Sequence, residues 1–254
     1  MQTTTWAVVT GASSGLGAHF ASHLASQGSN LILVARSLDK LEEHAEQLRS
    51  THGVRVEVRQ TDLADPAQRT VLADELSELE VHTLVNNAGF GSIGDFDSLD
   101  RKRLLSEIEL NAAALTELTH VVLGRMLVHG RGAVINVAST GAFQPIPTMA
   151  VYAATKAYVL RLSLALWDEL HVTGVRVLAV CPGPTQTEFF SNAGNDKVMR
   201  WRRTPEQVIA SSFKALAAHQ PYVIDGWNNK LLAFATRFAP TWLTVKLARR
   251  IAGG

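Results

Sequence analysis

The chain has 254 residues, of which 46% are hydrophobic and 19% charged, a composition typical of a folded globular protein. Lysine and arginine total 24 against 23 for aspartate and glutamate, so the net charge of +1 gives no general attraction to nucleic acid. The single cysteine, Cys181, excludes an intrachain disulfide framework and a cysteine-rich zinc site. The N-terminus lacks a basic leader and no long apolar run follows, so we expect a soluble, cytoplasmic protein.

Short apolar runs alternate with segments of helical period, a pattern that predicts a parallel sheet covered by helices. The runs expected to form strands are residues 6–10, 31–35, 54–58, 82–86, 133–138, 175–180 and 222–224. After the second run, a stripe at spacings of three and four predicts a helix packed on the sheet, formed by Leu38, Leu41, Ala45 and Leu48. Right-handed crossovers then give an α/β fold, a Rossmann-type doubly wound sheet of about seven strands with helices on both faces.

The first chemical motif is TGASSGLG, residues 10–17, between the first predicted strand and a helix that runs to about Gln27. Its three glycines allow a sharp turn, close approach to a diphosphate and a helix N-terminus that faces the anion. This predicts a nucleotide-binding loop, with a glycine-rich turn of purely structural role as the alternative. The spacing differs from that of the GxxxxGKS/T loop, which disfavours ATP hydrolysis.

Charged residues after the second and third strands bear on which nucleotide binds. Arg36 stands where an acidic residue would bond the two ribose hydroxyls, and a guanidinium there favours the 2′-phosphate of NADP(H). A solvated arginine is the alternative, and nearby Asp39 would weaken the preference. Asp62 is placed to accept from an adenine amino group, whereas Asp65 and Pro66 are typical of a helix start.

Five motifs in this order resemble those of the short-chain dehydrogenase/reductase family in its common form. They are TGASSGLG, NNAG at 86–89, Ser139, YAATK at 152–156 and Pro-Gly at 182–183. The resemblance runs from about residue 5 to residue 225. It implies a seven-stranded Rossmann-type sheet, a nicotinamide cofactor, and oxidation or reduction at an alcohol or carbonyl carbon.

The resemblance also implies a role for each matching residue. The implied catalytic residues are Asn111, which in the family holds a water near the lysine, Ser139, which polarises the substrate, Tyr152 and Lys156. The implied cofactor contacts are Gly11, Ser13, Ser14, Gly15, Leu16, Gly17, Arg36, Asp62, Leu63, Asn87, Ala88, Gly89, Tyr152, Lys156, Pro182, Gly183, Thr185 and Thr187. The alternatives are an exposed polar position for Asn111 and a strand-end turn hydroxyl for Ser139.

The chemistry of Tyr152 and Lys156 agrees with those roles. Hydride transfer to a carbonyl builds charge on its oxygen, so the site needs a proton donor and a dipole aimed there. Four positions apart, the two side chains share one helix face, and the ammonium is expected to lower the pKa of the phenol. A proton would pass from solvent through the water at Asn111, Lys156 and the ribose to Tyr152. Tyr158 is the weaker candidate, because it points away from Lys156.

The C-terminal stretch, residues 226–254, departs from the family, many of whose members end in a short strand. It contains no acidic residue and is rich in apolar and basic ones, the basic residues being Lys230, Arg237, Lys246, Arg249 and Arg250. We expect two amphipathic helices separated by Pro240, an extension of the domain formed by residues 1–225. Packing within the molecule or on another subunit is favoured, and peripheral contact with an anionic membrane is the minority interpretation.

The sequence thus predicts an oxidoreductase that prefers NADP(H), accepts NAD(H) as second choice, and transfers a hydride to or from a carbonyl or secondary alcohol carbon. A non-catalytic nucleotide-binding sensor or scaffold is the alternative. An isomerase or epimerase of the longer sugar-nucleotide branch is a second, minority alternative, because it would need a further C-terminal domain that 254 residues barely allow. We expect a small, hydrophobic substrate set by Phe143, Gln144, Met149 and a flap at 183–203. A homodimer or homotetramer is predicted. No metal is expected, since no third ligand accompanies the pair His19 and His23.

Overall fold

The computed structural model describes residues 5–187, 189, 193, 202–236 and 238–251. Its strands are β1 (Trp6–Thr10), β2 (Asn30–Ala35), β3 (Val56–Gln60), β4 (Val81–Asn86), β5 (Gly132–Val137), β6 (Val175–Cys181) and β7 (Tyr222–Ile224). They form one seven-stranded parallel sheet in the order β3-β2-β1-β4-β5-β6-β7. The predicted fold class is confirmed, and the third strand lies two residues later than predicted.

Helices cover both faces of the sheet and connect successive strands. They are α1 (Gly15–Ser26), α2 (Leu38–His52), α3 (Pro66–Glu78), α4 (Arg101–Ile108), α5 (Leu115–His129), α6 (Ala150–Glu169), α7 (Pro205–Ala217), α8 (Trp227–Ala235) and α9 (Thr241–Ile251). A π-helical turn at Glu109–Ala114 joins α4 to α5, and a 3₁₀ turn at Thr140–Phe143 follows β5. The alternation of strands and helices is that of a doubly wound fold in a single domain.

The core consists of two layers, because side chains alternate between the faces of each strand. Val9 belongs to the layer that contains residues of α1, α2 and α7, whereas its neighbour Val8 belongs to the layer that contains residues of α3 and α5. In α2, the predicted stripe is buried except at its first position: Leu38 is 40% exposed. Leu38 is the first residue of α2, and the buried positions begin at Leu41.

Local sequence signals fix several helix ends. The Asp65 carboxylate accepts a hydrogen bond from the Ala67 N–H at 2.9 Å, and Pro66 occupies the first helical position, as predicted. Before α7, Thr204 and Gln207 form a reciprocal capping box. The predicted pair of C-terminal helices is present as α8 and α9 on either side of Pro240. Within the described ranges, no helix combines the length and apolar character needed to cross a bilayer.

The strand order reverses direction between β1 and β4. From β1 the chain moves outward to β2 and β3, then returns to the centre and moves to the other edge. At such a switch point the loops that leave the carboxyl ends of the strands diverge and open a crevice, which is where ligands bind in open α/β sheets.

Candidate active site

A cavity of about 750 Å³ occupies this crevice. Its wall includes most of the residues that the sequence proposed for catalysis and cofactor contact: Gly11, Ser13, Ser14, Gly15, Leu16, Arg36, Asp62, Leu63, Asn87, Ala88, Gly89, Ser139, Tyr152, Lys156, Pro182, Gly183, Thr185 and Thr187. Gly17 and Asn111 lie behind the wall. The structure therefore brings these residues together, while their individual roles stay predictions.

The glycine loop needs its glycines for close backbone packing. A Cβ on Gly17 would lie 2.1 Å from the Gly11 carbonyl oxygen, and one on Gly11 would lie 2.9 Å from the Ala88 Cα. Gly11 and Gly15 also have positive φ angles of 65° and 54°. The N-cap side chain of α1, Ser14, makes no capping hydrogen bond, so the first N–H groups of the helix are available to an anion.

Two cations line the cavity beyond the end of β2. Arg36 and Lys40 both line it, together with Ser37. Lys40 was not predicted, although a cation in the first turn of the helix that follows Arg36 was a usable signal. Asp62 also lines the cavity, where its carboxylate accepts from the Ala64 N–H at 3.0 Å.

The motif NNAG ties three strands together. The Asn87 amide donates to the Thr10 carbonyl at 2.9 Å, which holds the end of β4 against the glycine loop. The Asn86 amide donates to Asn136 on β5 at 2.9 Å, and the Asn136 amide donates to the Ser163 hydroxyl on α6 at 3.0 Å. All three members of this second chain are buried. The motif thus steadies the central sheet.

Ser139, Tyr152 and Lys156 meet at the middle of the cavity. Ser139 follows β5 and accepts from the Gly141 N–H at 3.0 Å, so it makes the predicted strand-end turn and also lines the cavity. Tyr152 and Lys156 project from α6 and are only 8% and 5% exposed. The Lys156 ammonium donates to the Val137 carbonyl at 2.8 Å and lies 5.8 Å from the centre of the Tyr152 ring.

Burial dominates the ionisation of this pair. Burial raises the pKa of Tyr152 to about 12. The nearby Ser139 hydroxyl lowers this pKa, and the charge of Glu107 raises it further. Burial lowers the pKa of Lys156 to about 8, which Cys181 and Glu107 oppose. The expected lowering of the tyrosine pKa by the lysine does not occur in this structure. Desolvation by burial is the largest cause of the raised pKa of Tyr152, and the Lys156 ammonium bonds to the backbone of β5.

Asn111 is buried in the π-helical turn, which contradicts the alternative of an exposed polar position. Its side-chain oxygen accepts from the Phe90 N–H at 3.1 Å. Its amide donates to the Phe90 carbonyl at 2.9 Å and to the Thr155 hydroxyl at 3.1 Å. A Cβ on Gly89 would lie 2.9 Å from the Asn111 oxygen and 3.3 Å from the Lys156 ammonium. Asn111 therefore clamps the loop after β4 beside the lysine, and its role with water stays a prediction.

Glu107 is a buried acid that was not predicted from the sequence. One carboxylate oxygen accepts from the Ser92 hydroxyl at 2.8 Å, and the other accepts no hydrogen bond from the residues that the structure describes. Burial raises its pKa, against the opposing effects of Ser92, Arg103 and Lys156. Its position four residues before Asn111, on the same helix face, was the available signal.

The end of the cavity away from the glycine loop is mostly apolar. Phe143, Gln144 and Met149 line it, as expected. Phe189 adds a ring centred 5.2 Å from that of Tyr152, and α8 contributes Leu232. This end accommodates a hydrophobic group next to the phenol.

Segment 182–187 crosses from β6 to the cavity. The Thr187 side chain would lie 3.3 Å from a Cβ on Gly15, so this segment touches the glycine loop. A bridge pairs Thr185 with Arg203, and the Arg203 guanidinium binds the buried Asp225 at 2.7 and 3.1 Å. The ends of the predicted flap, 183–203, are thereby joined. Most of its middle lies outside the described residues.

The histidine pair has other partners. His19 contacts Glu206 at 2.9 Å, and the His23 ring stacks on Phe213 with centres 4.0 Å apart. In the described part of the chain, no group of three or more histidine, cysteine, aspartate or glutamate side chains is arranged to hold a metal.

Comparison with known proteins gives matches over most of the chain. The family model for short chain dehydrogenases matches residues 5–198. Very-long-chain 3-oxoacyl-CoA reductase-A of Danio rerio is 29% identical over 245 residues, which cover 90% of this chain and 74% of the relative. The Homo sapiens protein named inactive hydroxysteroid dehydrogenase-like protein 1 is 28% identical over 243 residues, covering 94% and 74%.

Solved structures of similar fold cover nearly the whole chain. A short-chain dehydrogenase from Sphingobium yanoikuyae in complex with NADPH is 34% identical, with a TM-score of 0.85 and coverage of 92% of this chain and 94% of the other. The bulky-bulky ketone specific alcohol dehydrogenase from Comamonas testosteroni is 29% identical, with a TM-score of 0.80 and coverage of 94% of both chains. With its sheet order, its motifs in sequence order and these matches, the chain belongs to the short-chain dehydrogenase/reductase family.

Proposed function

We propose that the protein is an NADP(H)-dependent oxidoreductase that reduces the carbonyl group of a bulky, apolar substrate, or oxidises the corresponding secondary alcohol. The observation that carries the proposal is the position of Tyr152. Its buried phenol lies in the wall of one cavity, between a glycine loop suited to a diphosphate and an apolar end suited to a hydrophobic group.

The residues present fit NADP(H). The backbone cradle at Gly11 and Gly17 has no room for a Cβ, and the first turn of α1 would hold the diphosphate. Arg36 and Lys40 would hold a 2′-phosphate. When bound, NADPH would supply the hydride. The relative solved with NADPH supports this choice over NADH.

Tyr152 is suited to give its proton to the oxygen of a carbonyl under reduction. With a pKa of about 12 it holds the proton throughout the neutral range. The Ser139 hydroxyl stands beside it as a second hydrogen-bonding group for that oxygen. Lys156, with a pKa of about 8, is charged at pH 7 and stabilises negative charge that develops near the phenol.

The substrate class follows from the apolar end of the cavity. Its large apolar side chains are Phe90, Phe143, Ile146, Met149, Phe189 and Leu232. Burying apolar surface there favours a bulky ketone or an acyl chain that carries a keto group. Two proteins similar to this chain are named for such substrates, a very-long-chain 3-oxoacyl-CoA reductase and a bulky-bulky ketone specific alcohol dehydrogenase.

The role of Tyr152 is tested with two tyrosine variants from the same helix. Tyr152→Phe removes only the proton donor, so kcat for NADPH-dependent reduction of bulky aromatic ketones is expected to fall by roughly 10²–10⁴ while NADPH binding persists. Tyr158→Phe is the matched control, because its hydroxyl is exposed and bonds to Thr116 at 2.8 Å, away from the cavity. Retained turnover in Tyr152→Phe would exclude the proposed mechanism.

Cofactor preference is tested at Arg36. Arg36→Ala removes a charged partner of the 2′-phosphate, so the Kd for NADPH is expected to rise roughly tenfold to a hundredfold. The Kd for NADH, which lacks that phosphate, should change little and is the internal control. Equal losses for both cofactors would mean that Arg36 does not recognise the phosphate. Both constants are read from the quenching of protein fluorescence.

A non-catalytic nucleotide-binding protein is the second candidate, since a human relative is named inactive. It predicts tight NADPH binding without turnover on a broad panel of ketones, aldehydes and 3-oxoacyl thioesters. The presence of Ser139, Tyr152 and Lys156 around one cavity favours the enzyme.

A further inference from the structure

Helices α8 and α9 present two different faces, and the inner one belongs to the active site. On this inner face Asn229, Leu232, Ala233 and Ala248 line the cavity. On the outer face of α8, Trp227, Leu231 and Phe234 follow one another at spacings of four and three and form one stripe. They are 76%, 57% and 58% exposed, although each is a large apolar side chain.

The outer face of α9 is aromatic and basic. Trp242, Lys246 and Arg249 are exposed and again follow one another at spacings of four and three. The Lys246 ammonium lies 5.4 Å from the centre of the Trp242 ring. Between the two helices Phe238 is 75% exposed, with its ring 5.0 Å from that of Phe234. We call these exposed side chains of α8, of α9 and of the connection between them the helix-pair surface.

Charge distinguishes the partners that this surface suits. Residues 226–254 contain five lysine and arginine residues and no aspartate or glutamate. Two copies of the chain joined through this surface would bring like charges together, which is unfavourable. Exposed tryptophan and phenylalanine beside lysine and arginine match the boundary of an anionic bilayer, where aromatic rings enter the headgroup layer and cations pair with lipid phosphates.

We propose that the helix-pair surface docks on an anionic phospholipid membrane, with α8 and α9 lying in the plane of the interface. Trp227, Leu231, Phe234 and Phe238 enter the lipid, and Lys230, Lys246 and Arg249 contact the headgroups. Because the inner face of the same helices lines the cavity, the apolar end of the active site then lies one helix away from the lipid.

The test uses the full-length protein and vesicles of phosphatidylcholine alone or mixed equally with phosphatidylglycerol. Binding is measured by co-sedimentation. We expect binding to the anionic vesicles at low salt, little binding to phosphatidylcholine alone, and clear weakening at 0.5 M NaCl, because salt screens the exposed charges.

Two pairs of double variants test whether vesicle binding depends on where the substituted residues lie or only on the overall composition of the protein. Lys246→Glu with Arg249→Glu is expected to weaken binding by roughly tenfold or more, since each surface cation contributes on its own. Lys102→Glu with Lys214→Glu makes the same change of net charge at exposed sites elsewhere and should weaken binding less than about twofold. The double variant Trp227→Ser with Phe234→Ser is likewise expected to weaken vesicle binding more than the control double variant Val128→Ser with Val172→Ser. Val128 and Val172 are 84% and 79% exposed and lie outside the helix-pair surface. Circular dichroism confirms that each variant is folded.

Three results would overturn the proposal. One is that the unmodified protein does not sediment with anionic vesicles. Another is that both charge variants lose binding equally, which would show general charge attraction. The third is that variants of the helix-pair surface change the oligomeric mass found by sedimentation velocity, while the unmodified protein does not bind vesicles. That result would assign the surface to contacts between copies of the chain. None of these readouts depends on catalysis, so failure here leaves the proposed reaction untouched.

Discussion

The glycine loop is held by close packing against neighbouring backbone, whereas the opposite end of the cavity is lined by large side chains. At the first end, Gly11 and Gly17 pack so closely that a single added carbon would overlap a neighbouring main-chain atom. At the second end, Phe143, Met149 and Leu232 come from a 3₁₀ turn, the residue before α6, and α8. Backbone cannot repack, while side chains can change rotamer or size. We therefore expect the cofactor end to tolerate almost no substitution and the substrate end to tolerate many.

The largest effect is expected from Gly17→Ala. Its Cβ would lie 2.1 Å from the Gly11 carbonyl oxygen, so the loop must move and NADPH binding should be lost, with destabilisation of several kcal/mol. Gly124→Ala is the matched control: Gly124 is exposed on α5, an added Cβ would meet no atom within 4 Å beyond its own helix backbone, and alanine there should stabilise by up to about 1 kcal/mol. Thermal unfolding and NADPH titration measure both. Normal NADPH binding by Gly17→Ala would contradict the expectation that the cofactor end tolerates fewer substitutions than the substrate end.

An intermediate effect is expected at Lys156, where the two ends meet. Its pKa falls from 10.5 in the unfolded chain to about 8 in the folded one, so the buried ammonium destabilises the fold below pH 8. The unfolded chain binds the extra proton between about pH 8 and 10.5, so this cost disappears as the pH rises. Relative to Lys156→Met, the free energy of unfolding should therefore increase by roughly 3 kcal/mol across that window.

Urea unfolding of both proteins at several pH values measures this difference. The lost hydrogen bond to the Val137 carbonyl adds a constant offset and does not change the slope with pH. A difference that is flat between pH 8 and 10.5 would show that Lys156 is not desolvated.

The smallest effect is expected at the substrate end, from two adjacent leucines of α8. Leu232 lines the cavity, so Leu232→Ala should raise KM for a bulky ketone by roughly tenfold, as one shortened apolar contact would, and change kcat little. Leu231 is 57% exposed on the outer face, and Leu231→Ala should leave both constants unchanged. A loss of NADPH affinity in Leu232→Ala would mean that the two ends are not separable.

Buried elements were predictable from sequence and exposed ones less so. Central strands such as β1 and β6 are almost wholly buried, so a run of apolar residues marks their ends well. β3 lies at the sheet edge, and its last residues, Arg59 and Gln60, are polar and partly or fully exposed. The predicted strand therefore ended too early, because hydrophobicity no longer follows strand pairing at an edge.

The candidate site divides in the same way. The glycine loop was predicted from its place after the first strand, whereas Ser139, Tyr152 and Lys156 were identified by their resemblance to the motifs of the family. Glu107 was not identified, because its importance depends on tertiary burial beside Lys156. The shift in the tyrosine pKa was also predicted with the wrong sign, since desolvation cannot be read from spacing along a helix.

The buried amide chain from Asn86 through Asn136 to Ser163 fixes the relative heights of three elements. Asn86 and Asn136 are direct neighbours in the sheet, and Ser163 lies on the helix that carries Lys156. Gly89 and Ser139 each follow three residues after their asparagine. A slip of β5 by one residue would turn its side chains to the other face and leave these amides without partners in the core. These hydrogen bonds therefore fix the register of β4, β5 and α6 relative to one another. As a result, the loop after β4, Ser139 and Lys156 are held in position by the protein alone.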